Sequence, residues 1–352
     1  MRKRILIISA RIGAGHDGAA RELGRRLGNH DIEHVDFLDL LPGGLGRRLC
    51  DAYQSQLRVA PRSWDWLLSA LGSPTVARLT VRASAIACQR LADVATARTD
   101  LVVTTYPLAG HTVAHLRSRG QLPAPFAVYL TDPSVHRLAV CQTADLHIAP
   151  NATAAREAQR LGASWVEIAA SVVGPGFRPV TTPAEQASAR ATFGLPQGDR
   201  LALVLCGSWG IGAVRRITDD IARSGAARPV VVCGRNTDLM HRLRRAGHPN
   251  VFGWVADMPA LMRACDVVVQ NAGGLTTSEA LTGGLPVLTY RCLPGHGRAN
   301  ARVLDDEGVA PWIRRPEDLP GALAAAAPPQ PRTGPDPAAL LEKLLDTTTA
   351  AV

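Results

Sequence analysis

The sequence has few aromatic residues, few lysines, no closely spaced cysteines and no long apolar run. Phe, Trp and Tyr make up 4% of the 352 residues. With no stacking platform and no basic helix suited to a DNA groove, nucleic acid is a poor candidate partner. The seven cysteines lie far apart, without a CxxC pair or a nearby histidine, so we expect reduced core residues rather than metal ligands.

The N-terminal segment is basic and then apolar, but its apolar run ends in glycines after about seven residues, too early for a signal peptide or a membrane span. We therefore expect a buried first strand and a protein that stays in the cytoplasm. A formal charge of +9 and a pI near 9.7 favour polyanions or an anionic membrane surface. An arginine-rich chain can also follow from a GC-rich coding sequence, so the charge alone decides nothing.

Length and hydrophobic content indicate two domains. With 46% hydrophobic residues, the chain can fill two cores of roughly 150 to 180 residues each. Short apolar runs alternate with helical stretches, which predicts parallel sheets with crossover helices. We predict an α/β protein with Rossmann-like domains at 1–173 and 187–352 and a linker at 174–186. The predicted strands are 4–10, 32–37, 100–105, 126–131 and 145–150 in the first domain, and 201–207, 229–234, 250–254, 266–270 and 286–290 in the second.

Two further segments, the last predicted helix and a long insert in the first domain, also carry predictions. The last helix, 337–346, falls in the second domain by position and follows a Pro-rich loop, so it could pack back across the interface. The insert 40–82 combines an apolar helical stripe with nearby arginines, a pattern typical of a surface that leans on a membrane or of a helix packed on its own domain. Its stripe is Leu45, Leu49, Ala52, Tyr53 and Leu57, its arginines are Arg47, Arg48, Arg58 and Arg62, and Trp64, Trp66, Leu67 and Leu68 follow.

The turn after the first strand carries candidate catalytic chemistry. Residues 13–18 read GAGHDG, a literal GxGxxG that includes Gly15, and Asp36 follows the second strand. This pattern alone fits a dinucleotide-binding oxidoreductase. His16, however, would project into the space that a pyrophosphate needs. A histidine at a helix start can instead take the proton of an acceptor hydroxyl during sugar transfer, or merely cap the turn.

The second half contains a candidate nucleotide site. Residues 271–279 read NAGGLTTSE, and they place Gly273, Gly274 and Thr276 where a helix begins. Main-chain N–H groups at such a start can hold a diphosphate. Glu279, one turn later, can accept hydrogen bonds from the vicinal hydroxyls of a ribose. Helix capping by the hydroxyls, with Glu279 near the positive end of the helix dipole, is the alternative.

A second glycine turn includes Gly207 and Ser208, so two phosphate-competent loops favour a diphosphate donor. Trp254 and Val255 end another strand, where main-chain groups can bind a base edge. The sequence has no DxD motif and no acidic cluster suited to a metal. We therefore expect a metal-independent reaction without a cofactor, in which helix dipoles and basic side chains stabilise the leaving diphosphate.

Together these motifs resemble the diacylglycerol glycosyltransferases, which include the galactolipid synthases of plastids and the processive glucosyltransferases of Gram-positive bacteria. They are relatives of the lipid II-forming N-acetylglucosaminyltransferase. The resemblance covers about residues 1–315. Its most specific segments are IGAGHDGAA (12–20), YQSQLRVAPRSW (53–64), VVTTYP (102–107), YLTDPSVH (129–136), VVVCGRNTDL (230–239) and GGLTTSEALTGGLPVL (273–288).

The resemblance implies a GT-B fold, with two Rossmann-like domains facing a central cleft, and inverting transfer from a UDP-sugar. It implies that His16 is the base, that Asp132 and His136 line the acceptor side, and that the insert grips a lipid at the inner face of the cell membrane. The implied donor contacts are Gly207 and Ser208 to the diphosphate, Trp254 and Val255 to uracil, and Glu279 to ribose. A GT-B enzyme of secondary metabolism with a soluble acceptor is the alternative, and a silent UDP-sensing protein is another.

One segment departs from the family pattern. Where the family usually shows PGQExxN, residues 294–300 read PGHGRAN, so the glutamate that would hold sugar hydroxyls is missing. His296 and Asn300 remain candidate donor contacts. An altered donor, such as an amino or acidic sugar met by His296 or Arg298, would be consistent with this change.

Overall fold

The computed structural model describes residues 2–59, 73–95, 98–330 and 333–349. These residues form two compact units. The first comprises most of the chain up to Val172 together with the segment from Thr333 onward, and the second comprises Val173–Arg332.

The first unit contains a six-stranded parallel sheet with the order β2-β1-β3-β4-β5-β6. Side chains along β1 alternate between two apolar clusters: Leu6 and Ile8 join one, and Ile5 and Ile7 join the other. Both faces of the sheet are therefore covered, which explains the continuous apolar runs of the sequence. The strands are β1 (Arg4–Ser9), β2 (Asp31–Asp36), β3 (Leu101–Thr104), β4 (Phe126–Tyr129), β5 (Leu146–Ala149) and β6 (Val166–Ile168).

Helices connect these strands and cover the sheet. Their order along the chain gives α1 (Ala14–Arg26), α2 (Leu45–Val59), α3 (Pro74–Ser84), α4 (Cys88–Val94), α5 (Pro107–Ser118) and α6 (Ala152–Arg160), and the C-terminal helix α14 (Pro337–Thr349) also belongs to this unit. Three short 3-10 turns lie at Phe37–Leu40, Pro42–Gly44 and Ala85–Ala87, and a fourth lies at Arg137–Ala139.

The position of α14 corrects the predicted domain boundary, which placed 187–352 in the second domain. Leu341, Leu344 and Leu345 are buried in the same cluster as Ile5 and Leu23 of the first sheet and α1. Apolar burial of this kind is the dominant stabilising term in folding. The helix thus follows the second unit in sequence but completes the core of the first.

The second unit has its own six-stranded parallel sheet, with the order β12-β11-β10-β7-β8-β9. Leu201, Leu203 and Leu205 pack on one face of β7, while Ala202 and Val204 pack on the other. The strands are β7 (Leu201–Leu205), β8 (Arg228–Val232), β9 (Val251–Phe252), β10 (Val267–Gln270), β11 (Val287–Tyr290) and β12 (Trp312–Ile313).

The helices of this unit begin inside the predicted linker 174–186. Thr182 caps α7 by accepting a hydrogen bond from the main-chain N–H of Glu185 at 3.2 Å, and Pro183 occupies the first turn. The linker prediction therefore extends too far at its C-terminal end. The helices are α7 (Pro183–Thr192), α8 (Val214–Ser224), α9 (Thr237–Arg245), α10 (Met258–Ala264), α11 (Gly274–Thr282), α12 (His296–Asp306) and α13 (Leu319–Ala325), with a 3-10 turn at Pro316–Asp318.

The insert 40–82 is helical where the structure describes it. Leu45 and Leu49 of α2 are 37% and 46% exposed, and Arg47 and Arg48 beside them are also exposed. The predicted Trp64, Trp66, Leu67, Leu68 and Arg62, and the side chains of Leu57 and Arg58, lie outside the described residues. None of the described helices is both long enough and apolar enough to cross a bilayer.

Candidate active site

His16 lies in the first turn of α1, which begins directly after the glycine turn that follows β1. Its Nδ1 is 2.6 Å from the main-chain oxygen of Thr105, which follows β3. Strands β1 and β3 are hydrogen-bonded neighbours, and the chain continues from them toward opposite edges of the sheet. Ligands of open parallel sheets bind outside the carboxyl ends of the strands at such a switch point.

The environment of His16 assigns its tautomer. A carbonyl oxygen can only accept a hydrogen bond, so Nδ1 carries the proton and donates a hydrogen bond to the Thr105 oxygen. The lone pair of the neutral ring then lies on Nε2. Thr131 Oγ1 lies 3.2 Å from the same Nδ1, and the Tyr106 ring meets the imidazole edge-on at 5.5 Å between centroids. Tertiary contacts from the loops after β3 and β4 therefore hold the ring, and its role as the base stays a prediction.

Asp132 and His136 follow β4 on the same edge of the first sheet as His16. Asp132 is half-buried and His136 is exposed. Burial raises the pKa of Tyr53 to about 12, and the charge of Asp132 contributes in the same direction. The charge of Asp132 therefore acts on the phenol of Tyr53 on α2, so the insert and the loop after β4 lie near each other.

The dinucleotide alternative depended on Asp36, and the fold uses this carboxylate elsewhere. Its oxygens accept hydrogen bonds from the main-chain N–H groups of Leu38 at 2.8 Å and Arg11 at 3.1 Å. Asp36 thereby caps the 3-10 turn that follows β2. Gly15 lies within the first turn of α1, as the glycine pattern predicted. The carboxylate that the dinucleotide pattern assigned to a ribose thus has main-chain donors within the fold.

In the second unit the corresponding switch point lies between β7 and β10. The loop after β7 contains Gly207, which is exposed with φ of 72°, and Ser208, which is half-buried. The side-chain amide of Asn271, directly after β10, donates to the main-chain oxygen of Ile211 in the β7 loop at 2.9 Å. The two glycine loops predicted to hold a diphosphate are therefore joined to each other.

The start of α11 is held by hydrogen bonds to the side chain of the buried residue Gln270. The main-chain N–H of Gly273 donates to Gln270 Oε1 at 2.9 Å, and Gln270 Nε2 donates to Thr277 Oγ1 at 2.7 Å. Gly273 is the N-cap residue, and Gly274 begins the helix, with Thr276 in its first turn. The predicted phosphate-binding residues thus lie at a helix start whose geometry is set by side chains inside the fold.

Glu279 lies on α11, and burial raises its pKa to about 8. The part of the chain that the structure describes provides no hydrogen-bond donor to its carboxyl group. A desolvated carboxyl group favours its neutral form, and donors from a ligand would favour the ionised form. This arrangement is suited to a ligand with hydroxyl groups.

Trp254 and Val255 follow β9, the edge strand of the second sheet. Trp254 is 58% exposed, and Val255 is half-buried in the apolar core. The guanidinium carbon of Arg235, in the loop after β8, lies 5.0 Å from the centroid of the Trp254 ring and 5.3 Å from that of Trp209. A cation thus stacks against both tryptophans beside the Gly207 loop.

The structure changes the interpretation of the segment 294–300. His296 is the first residue of α12 and half-buried, whereas Asn300 is fully buried and its side-chain amide donates to the main-chain oxygen of Ala272 at 3.1 Å. The side-chain amide of Asn300 thus supports the loop after β10, and its contact with the donor stays a prediction.

Several residues of these sites were not predicted as site residues, although most of them lie in segments that carry the resemblance. Their contacts join strands that are distant along the chain, and no local motif encodes such contacts. Their positions at strand ends are the signal that could have pointed to them. They are Thr105 and Thr131 around His16, and Arg235, Gln270 and Asn271 in the second unit.

Comparison with known proteins agrees with the resemblance noted in the sequence. No protein-family model matches the chain. The processive diacylglycerol beta-glucosyltransferase of Bacillus subtilis (strain 168) is 25% identical over 228 residues, which are 62% of this chain and 58% of that protein. The probable monogalactosyldiacylglycerol synthase, chloroplastic, of Glycine max is 26% identical over 246 residues, which are 64% and 45%. The chain thus spans about half the length of these curated relatives.

The solved structure of Acinetobacter baumannii MurG matches with a TM-score of 0.54 and 15% identity, over 99% of this chain and 100% of that one. Medicago truncatula UGT71G1, complexed with UDP-glucose, matches with a TM-score of 0.55 and 13% identity, over 100% and 95%. At this identity the structural matches establish the fold alone. The chain is thus similar in sequence to diacylglycerol glycosyltransferases, and its two parallel α/β sheets have the GT-B fold.

Proposed function

We propose that the chain is an inverting glycosyltransferase that moves a sugar from a UDP-sugar to a hydroxyl group of a lipid acceptor such as diacylglycerol. The observation that carries this proposal is His16, held at the switch point of the first sheet with Nδ1 donating to Thr105. The sequence relatives support it, since those reported above are diacylglycerol glucosyltransferases and a probable galactolipid synthase.

His16 acts as the general base in this proposal. The acceptor hydroxyl gives its proton to Nε2 as its oxygen attacks the anomeric carbon, and the bond from that carbon to the diphosphate breaks. The Thr105 carbonyl then stabilises the imidazolium through the Nδ1 hydrogen bond. Asp132, on the neighbouring strand end, contributes negative charge near the acceptor.

The second unit holds the donor. Main-chain N–H groups of the Gly207–Ser208 turn and of the α11 start, at Gly273 and Gly274, bind the diphosphate, and the helix dipole stabilises the departing charge. Glu279 accepts hydrogen bonds from ribose, and Trp254 with Val255 contacts the base. We propose that transfer needs neither a metal nor a cofactor.

The acceptor is a lipid because the described part of the insert exposes apolar side chains among arginines. Leu45, Leu49 and Leu79 of the insert are 37%, 46% and 58% exposed, and Ile86, shortly after it, is 53% exposed. Exposed leucines beside basic residues fit an anionic membrane surface. We propose that the protein is cytoplasmic and binds peripherally at the inner face of the cell membrane.

The test is transfer of radiolabelled sugar from UDP-glucose to diacylglycerol in anionic liposomes. His16→Ala is expected to abolish transfer while UDP still protects the variant against thermal unfolding. His241→Ala, an exposed histidine of α9, is the matched control and should keep full activity. Full activity of His16→Ala would remove this residue from the mechanism. Transfer to a soluble acceptor without liposome flotation would favour the alternative of a secondary-metabolism enzyme.

A further inference from the structure

Two non-glycine residues in the described part of the chain have a positive φ, and both lie at the carboxyl edge of the second sheet. Ala272 follows β10 with φ of 74°, and Arg291 follows β11 with φ of 47°. Residues other than glycine adopt this left-handed region at a cost, and such positions persist when surrounding contacts impose them. The contacts that impose each one can be identified.

Ala272 is held by the buried amide of Asn300, as described above. Arg291 is held by Asp220, a buried residue of α8. A single oxygen, Oδ2 of Asp220, accepts hydrogen bonds from Arg291 Nε at 2.9 Å, Arg291 Nη2 at 2.7 Å and the Tyr290 hydroxyl at 2.8 Å. The guanidinium carbon also lies 5.0 Å from the centroid of the Tyr290 ring.

The electrostatics of this contact favour a charged pair. Burial alone raises the pKa of Asp220, but the hydrogen bonds from Tyr290 and Arg291 and the charge of Arg291 outweigh it, so the pKa lies below its usual value. Asp220 is therefore ionised at neutral pH. Charge-assisted hydrogen bonds in a buried setting are stronger and more directional than neutral ones.

The conformation of Arg291 determines the path of the loop 291–295 into α12. The loop ends at Gly295, whose φ is 72°. Between these two residues, Leu293 packs closely on two glycines: a Cβ at Gly297 would lie 3.1 Å from Leu293 Cβ, and one at Gly212 would lie 3.3 Å from Leu293 Cδ2. Gly212 belongs to the β7 loop. A shifted loop would thus lose its fit to both neighbours.

We infer that Asp220 and Arg291 are positioning residues for the sugar end of the donor site: Asp220 holds Arg291 in its left-handed conformation and thereby sets the loop that carries His296. This inference rests on the proposed function, because it assumes that the second unit binds a UDP-sugar. The inference gives neither residue a direct contact with the donor. The pair governs recognition of the sugar and leaves the nucleotide contacts unchanged.

The test compares Arg291→Ala with Arg291→Gly in the full chain. Both variants lose the guanidinium, but glycine adopts the left-handed conformation without the penalty that alanine has. With UDP-glucose as the probe, Arg291→Ala and Asp220→Asn should raise the KM or lower kcat by about tenfold, whereas Arg291→Gly should change them by about threefold or less. The dissociation constant for UDP should stay within about twofold in all three. Arg223→Ala removes a different ion pair of Asp220 and should behave as wild type.

Equal loss in the alanine and glycine variants would show that the guanidinium itself makes the functional contact and would overturn the inference, as would full activity of Arg291→Ala. Hydrogen exchange of residues 291–300 in the unliganded protein provides a readout without substrate. Exchange should be faster in Arg291→Ala and Asp220→Asn than in Arg291→Gly. If the wild type binds no UDP and transfers no sugar, the proposed function fails, and this exchange comparison still decides whether the pair sets the loop.

Discussion

The Nδ1 atom of His16 donates a hydrogen bond to the main-chain oxygen of Thr105 at 2.6 Å, joining the start of α1 to the end of β3. The contact gives the imidazole one tautomer and one orientation. A main-chain acceptor cannot be removed by substitution, so the test of this relationship has to change the histidine.

Replacing His16 by asparagine separates orientation from proton transfer. The asparagine amide can still donate to the Thr105 oxygen, but it has no basic nitrogen. We expect kcat for sugar transfer to fall by about 10² to 10⁴-fold, the usual contribution of a general base, while the affinity for UDP is unchanged. Steady-state kinetics with UDP-glucose and calorimetry with UDP measure the two quantities. A variant with kcat near that of wild type would show that the ring only shapes the pocket.

The raised pKa of Glu279 predicts that the affinity for UDP depends on pH. Burial raises its pKa from 4.5 to about 8, and ribose hydroxyls donate to its ionised form. UDP binding should therefore tighten as the pH rises from 6 to 9, by at most about tenfold per pH unit. Titration calorimetry at four pH values measures this trend. Glu279→Gln should remove it, and the exposed control Glu317→Gln should retain it. A flat profile in the wild type would contradict the proposed ribose contact.

The same group affects the stability of the unliganded protein. Because the pKa of Glu279 is raised in the folded state, its favourable contribution is fully present below pH 4.5 and is lost as the pH rises to about 8. The difference in free energy of unfolding between wild type and Glu279→Gln should therefore change in that window and level off above it. Chemical denaturation of both proteins across this range provides the measurement, and a constant difference would argue against a buried protonated carboxyl group.

Asn300 should stabilise the loop after β10, to which its side-chain amide donates a hydrogen bond. Asn300→Ala leaves the Ala272 carbonyl without its side-chain donor in a buried setting, which costs about 1 to 3 kcal/mol of unfolding free energy. Denaturant titration followed by tryptophan fluorescence measures the loss. Arg302→Ala, exposed on the same helix, is the control and should be near neutral. An unchanged free energy of unfolding in Asn300→Ala would mean that the loop after β10 does not depend on this hydrogen bond.

The C-terminal helix should stabilise the first unit specifically. Leu341 is fully buried against the first sheet, so Leu341→Ala should cost about 2 to 5 kcal/mol. Scanning calorimetry with and without UDP can assign the transitions, because UDP should protect the second unit. The exposed control Lys343→Ala should change neither transition. A shift confined to the UDP-protected transition would contradict the assignment of α14.

The exposed apolar residues of the insert predict membrane binding. Leu49→Glu should weaken flotation with anionic vesicles by about tenfold or more, because it replaces an exposed leucine that would contact the lipid with a charge that anionic lipid repels. Ile168→Glu, on the edge strand β6, changes a residue of similar exposure (44%, against 46% for Leu49) and should have little effect. Flotation of Leu49→Glu equal to that of the wild type would contradict the role of Leu49 in membrane binding.

The predicted strands and turns follow from local properties of the sequence. Ten apolar runs became strands because a parallel sheet buries both faces, and the glycine turns before α1 and α11 became helix starts because such turns require small residues. The edge strands β6 and β12, of three and two residues, were missed, whereas β9, also of two residues, was found within the predicted strand 250–254. Local pattern was also sufficient to place His16 in the first turn of its helix.

The sequence by itself therefore determined the α/β class, the two sheets and the position of His16, all of which depend on neighbours along the chain. Only the tertiary structure decided which residues share a contact. It placed α14 on the first sheet, engaged Asp36 and Asn300 within the fold, and joined Asp220 to Arg291, 71 residues away. Side chains far apart in sequence meet through burial and hydrogen bonding, and no local pattern encodes that pairing.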